Sequence, residues 1–168
     1  MKTYTREELD SLIACAKVIA EPPRKEMRSD RGHRRNDMRL SSQNGDHEFS
    51  VFMRINETFP ENFTIGLNYY PKDERGSLCL LRCKGPHGEF LGHPSLPHAH
   101  FLYHVHRAKP ENIESGMRPE RGGEAADAYA SFQEALRHFL LTVNVIDADD
   151  HFPGFRQATL FELEDPAS

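Results

Sequence analysis

A chain of 168 residues, 38% hydrophobic and 28% charged with no Trp, has the make-up of an ordinary globular protein and is long enough to bury a core without staples. No apolar run approaches about 20 residues, and the charges in MKTYTREELDSLIACAK occupy the place where a signal peptide needs its apolar core. A membrane span is thereby excluded, export is not expected, and a cytoplasmic location is. Cys15, Cys79 and Cys83 are odd in number and lack CxxC spacing, so they are expected as reduced, packed thiols, and the sequons at Asn56 and Asn62 then carry no meaning. The net charge of −5 resides wholly in residues 147–168, where six acids face Arg156 alone. Residues 22–39 carry seven Lys/Arg against Glu26, Asp30 and Asp37, a basic segment that permits nucleic-acid contact without demanding it.

In chain order, residues 5–21 read as a helix. Thr5 and Glu8 have capping-box spacing, Leu9, Leu12, Ile13, Ala16 and Ile19 form an apolar stripe, and Pro22-Pro23 end it. An arginine-rich stretch follows, with a short edge strand predicted over 34–42 and turn chemistry at residues 43–46. Phe49, Val51, Met53 and Ile55, and then Phe63, Ile65, Leu67 and Tyr69, alternate with polar or small residues as in two half-buried strands. SLCLLRCK is nearly all apolar and predicts a central strand. Residues 85–97 and 108–123 read as loops. Apolar spacings of three and four predict a second helix over 124–144, and residues 158–163 a short strand. This order implies an α+β fold: an antiparallel meander sheet of four to five strands flanked by an N-terminal and a C-terminal helix. It forms one domain over residues 1–146, followed by an acidic tail over 147–168.

The most unusual stretch is PHAHFLYHVHRAK, residues 97–109. As a strand it places His98, His100, Leu102, His104 and His106 on one face and Ala99, Phe101, Tyr103, Val105 and Arg107 on the other. With His87 and His93, six of the ten histidines fall within twenty residues. Neighbouring imidazoles on one face lie about 6.6 Å apart and His98 and His106 about 26 Å apart, so the histidines can only cooperate as pairs.

Three readings stay open. Two imidazoles near their ordinary pKa of about 6.5 can act as base and acid in metal-independent phosphodiester cleavage. Here His104 and His106 are the pair, and Arg82, Lys84 and Lys109 are the cations for phosphoryl charge, with Arg107 starting on the opposite face. Arg31, Arg34 and Arg35 are candidate contacts to a nucleic-acid backbone. Alternatively the i, i+2 spacing of His98 and His100 fits a metal site, although the cupin pattern that this spacing resembles is incomplete. The third reading is a solvated polar face or an oligomer contact. No P-loop, GxSxG, HExxH or dinucleotide fingerprint is present.

The segments FSVFMR (49–54), FTIGL (63–67), LLRCKGPHGE (80–89) and His104-Val105-His106, followed by the helix through 128–144, resemble a bacterial domain-of-unknown-function family. The HxH strand and proline–histidine loop are also similar to TumE-type toxins of toxin–antitoxin pairs. The loop departs from the family pattern at Phe90, where a further histidine is expected. The resemblance implies that His104, His106 and His87 carry the site; the function expected is that of a small protein of toxin–antitoxin or genome-conflict type that needs no cofactor. RNA or DNA, a cognate protein partner and a homodimer are the candidate partners. The alternative is a non-catalytic inhibitor, antitoxin-like or anti-defence protein, or a histidine-based metal-binding domain.

Overall fold

The computed structural model describes residues 2–87 and 102–155. His93, His98 and His100, and the strand predicted over 158–163, lie outside the described residues. Helix α1 (Arg6–Ala14) opens the fold, with the Thr5 capping box in place. It is followed by β1 (Lys17–Glu21), β2 (Arg28–Asp30), β3 (His33–Ser42), β4 (Glu48–Asn56), β5 (Phe63–Tyr70) and β6 (Leu78–Lys84). Then come β7 (His104–Arg107), α2 (Pro110–Glu114), β8 (Gly123–Ala125), α3 (Phe132–Thr142) and α4 (Ala148–His151).

The fold is α+β, with a meander-like antiparallel sheet and helices towards both ends, but among the described residues the sheet has eight strands rather than four or five. Its order is β1-β3-β4-β5-β6-β7-β8, and β2 also pairs with β3. Three further strands come from segments predicted otherwise. The first helix stops at Ala14, because Lys17 is drawn into a strand: its N–H donates to Asn144 O and its backbone pairs with Ser42. The stretch 33–42 is no edge strand, since β1 and β2 cover one side of it and β4 the other. Residues 123–125 extend the sheet beside β7 instead of starting a helix, which begins only after Ser131 caps it by accepting the Glu134 N–H. Pro110, pre-set for a first helical turn, starts the short α2 inside a predicted loop.

Alternation decides the two faces of the sheet. Met38, Leu40, Phe49, Val51, Met53, Ile55, Phe63, Ile65 and Leu67 are buried with Leu9, Leu12 and Ile13 of α1 and Phe139 and Leu140 of α3. Both helices therefore lie on one face, where burying apolar area is worth about 25 cal/mol per Å². A bulge in β6 leaves Leu80 without a ladder partner, which lets Leu80 and Leu81 both enter the core. Beyond residue 146 the Asp147 carboxylate accepts the Ile19 N–H, Ala148 is buried, and Phe152 and Phe155 pack on the core. Among the described residues no helix is long and apolar enough to cross a membrane.

Candidate active site

The sheet face turned away from the helices carries the polar side chains in two rows set by strand register. Arg28, Arg35, Arg54, Thr64, Lys84 and His104 are partners in sequence from β2 to β7. The adjacent row on that face runs Asp37, Phe52, Gly66, Arg82, His106 and Gly123, from β3 to β8. His104 and His106 thus point away from the helices and stand directly beside Lys84 and Arg82.

Three imidazoles gather at the end of these rows. His87 Nε2 lies 3.3 Å from His104 Nε2, and the His104 and His106 rings have centroids 4.9 Å apart, edge to face. The ring tautomers follow from their carbonyl partners. His104 Nδ1 donates to Leu102 O at 2.7 Å and His106 Nδ1 donates to Glu120 O at 3.1 Å, because a carbonyl can only accept. In its neutral form each ring then keeps Nε2 as the acceptor nitrogen. A single proton therefore lies between His87 and His104.

Cations surround the cluster. Arg82 forms an ion pair with the buried Glu120 at 3.0 Å. Burial, reinforced by Arg82 and Arg118, holds the Lys84 ammonium below its ordinary pKa, with Glu120 opposing. Among the described residues, three cations against one carboxylate make an anion-attracting corner. Gly123 closes the other side: a β-carbon there would fall 3.0 Å from His104 Cδ2 and 3.1 Å from His106 Cε1, so only a glycine leaves the rings in place.

The structure brings together His87, His104, His106, Arg82 and Lys84. It separates Arg107 and Lys109, which line a cleft of about 390 Å³ on the helical face with Arg6 and His138. Desolvation, with Arg107 close by, lowers the His138 pKa. Arg35 belongs to the polar row and pairs with Asp30 at 3.2 Å. Arg34 pairs in register with Ile55 and so projects to the opposite face, and Arg31 sits in the β2–β3 turn at φ 49°. Among the described residues no group of three or more His, Cys, Asp or Glu has metal-site spacing.

Sequence reasoning missed Glu120, Arg118, Gly123 and Phe52. Gly122-Gly123 was the one legible signal, as paired glycines mark a close approach. Glu120 becomes meaningful only once β8 folds back beside β7. No family model, curated protein or solved structure matches this chain.

Proposed function

We propose that this protein is a nucleic-acid-directed phosphodiesterase of toxin–antitoxin or genome-conflict type that works through its imidazole cluster. The observation that carries this reading is the contact of His87 with His104, beside His106, in a corner with Arg82, Lys84 and Arg118. His106 accepts the proton of a ribose 2′-hydroxyl as that oxygen attacks phosphorus. The bond to the 5′-oxygen breaks, the protonated His87–His104 pair gives that oxygen its proton, and a 2′,3′-cyclic phosphate remains. Arg82 and Lys84 stabilise the charge on the non-bridging oxygens. His104 and His106 are buried and His87 half-buried, so the chemistry requires the cluster to open towards substrate.

The test is cleavage of single-stranded RNA by the purified protein and by a His104→Ala/His106→Ala variant shown to be folded. Cyclic-phosphate ends that vanish in the variant support the enzyme. A biological effect that survives in the variant but is lost on deleting residues 147–168 supports a non-catalytic inhibitor or antitoxin-like protein.

A second reading rests on the same 3.3 Å contact. Two ligand nitrogens on a tetrahedral ion with bonds of about 2.0–2.1 Å stand about 3.3 Å apart. Imidazoles anchored through Nδ1 to carbonyl oxygens are also the usual setting of metal ligands. Elemental analysis of the purified protein, with and without chelator, separates the two: activity indifferent to chelation favours imidazole catalysis alone.

A further inference from the structure

We propose that the polar face of the sheet binds single-stranded nucleic acid along a track across the strands, from an arginine cleft to the imidazole cluster, with Phe52 as the surface on which a base stacks. This rests on the phosphodiesterase reading for its chemistry and adds the substrate class and path.

The register row from Arg28 to His104 covers five strand spacings of about 4.8 Å, roughly 24 Å in all. At its far end Arg24, Arg28, Arg35 and Arg54 line a cleft of about 400 Å³ together with Asp30 and Asp37. Arg35 is held by Asp30 and Arg54 by Asp37, whereas among the described residues no carboxylate pairs with Arg24 or Arg28. Both ends of the row thus carry surplus positive charge. A ligand satisfying both is a chain of phosphates rather than a single one.

Between the two ends lies Phe52, half-buried on this polar face although its β4 neighbours Val51 and Met53 turn to the core. Its ring covers Gly66: a β-carbon at that position would fall 2.0 Å from Phe52 Cζ. The guanidinium carbons of Arg54 and Arg82 lie over the ring at 5.7 and 5.3 Å from its centroid, a cation–π arrangement. An aromatic ring laid over the sheet beside two guanidinium groups, whose long side chains can turn from the ring to phosphate, offers what an unpaired base needs: a stacking surface with cations next to it. In a duplex the base faces are already stacked, so the track selects single strands.

The test is direct binding, by fluorescence anisotropy, of DNA and 2′-O-methyl RNA oligonucleotides of about 4 and about 12 nucleotides and of a matching duplex. None has a free 2′-hydroxyl, so binding is read apart from cleavage. The longer single strand is expected to bind more tightly than the short one and than the duplex. Phe52→Leu is expected to weaken single-strand binding roughly 5- to 100-fold, with Phe52→Tyr retaining it. Arg24→Ser/Arg28→Ser is expected to reduce the slope of log K against log salt by about 0.7 for each phosphate that is no longer neutralised. Equal binding of duplex and single strand, or a folded Phe52→Leu variant that binds like wild type, overturns the track. Binding as expected with no cleavage of RNA leaves the track standing and removes only the catalytic reading.

Discussion

The hydroxyl of Tyr129 donates to the carbonyl of His104 over 2.7 Å and accepts the Lys84 N–H at 3.1 Å, so one oxygen ties the end of β6 to the start of β7. Burial, with the Cys83 thiol nearby, drives the phenol well above its ordinary pKa and keeps it a donor. Tyr129→Phe deletes the bridge and leaves a buried N–H and C=O without it. The expected cost is about 1–3 kcal/mol in urea unfolding. The variant is also expected to lose more RNA cleavage than its stability loss explains, since His104 is no longer held against Lys84. A variant as stable as wild type would show that the hydroxyl contributes nothing.

Gly123 offers a more local perturbation of the same rings. Its φ is not positive, so alanine can adopt the backbone, yet the added methyl meets both imidazoles inside van der Waals contact, and the rings must give by a few tenths of an ångström. Gly123→Ala is expected to unfold within about 1 kcal/mol of wild type while cleavage falls roughly tenfold, because small misplacements of reacting groups are costly. Shifted imidazole signals in NMR spectra would accompany the loss. Unchanged spectra and rate would mean that the rings have room to move.

What the sequence made legible and what it hid divide along contact range. The period-two alternation of β4 and β5, the apolar run of β6 and the Thr5 cap all depend on neighbours a few residues away, and each was readable. The placement of His104 and His106 opposite the helical face followed from the same alternation. Lys17–Glu21 was not readable as a strand, because its apolar residues also fit a helical stripe and its partners, Ser42 and Asn144, are remote. The Ala128–Ala135 spacing likewise suits a helix, but Tyr129 is claimed by Lys84 and His104 before α3 begins. The cationic rows are a property of register across six strands, which no single segment encodes.

The three cysteines differ in surroundings, and their reactivity should follow. Cys83 is buried and burial pushes its thiol up to about 12; Cys79 is half-buried and also raised, while Arg82 Nε donates to its sulfur at 3.4 Å. Only the thiolate reacts, so iodoacetamide at about pH 8 is expected to modify Cys83 no faster than the whole domain unfolds. Mass spectrometry of the time course checks this. Cys83 labelling that outruns global unfolding would reveal local opening of β6 next to the site.

Lys17 makes the sharpest stability prediction. Its ammonium is fully buried and donates to Ile13 O at 2.7 Å and to Cys15 O and Val143 O at 2.9 Å, over the Phe49 ring at 4.7 Å. One cation thus closes the carbonyl ends of α1 and α3, where a positive charge also suits the helix dipoles. Lys17→Met keeps the volume but strips the donors, at an expected cost of about 1–3 kcal/mol or more. Desolvation pulls the Lys17 pKa from 10.5 down to about 8, with the Cys15 side chain opposing. The unfolded chain therefore binds this proton more tightly than the folded one. The penalty is present in full below about pH 8 and fades as pH rises towards 10.5, so the folded state gains stability across that window. Urea midpoints measured from pH 7.5 upwards should show the wild-type advantage over Lys17→Met growing with pH. An advantage that shrinks instead would mean that the carbonyls outweigh desolvation and hold the lysine pKa above its unfolded value.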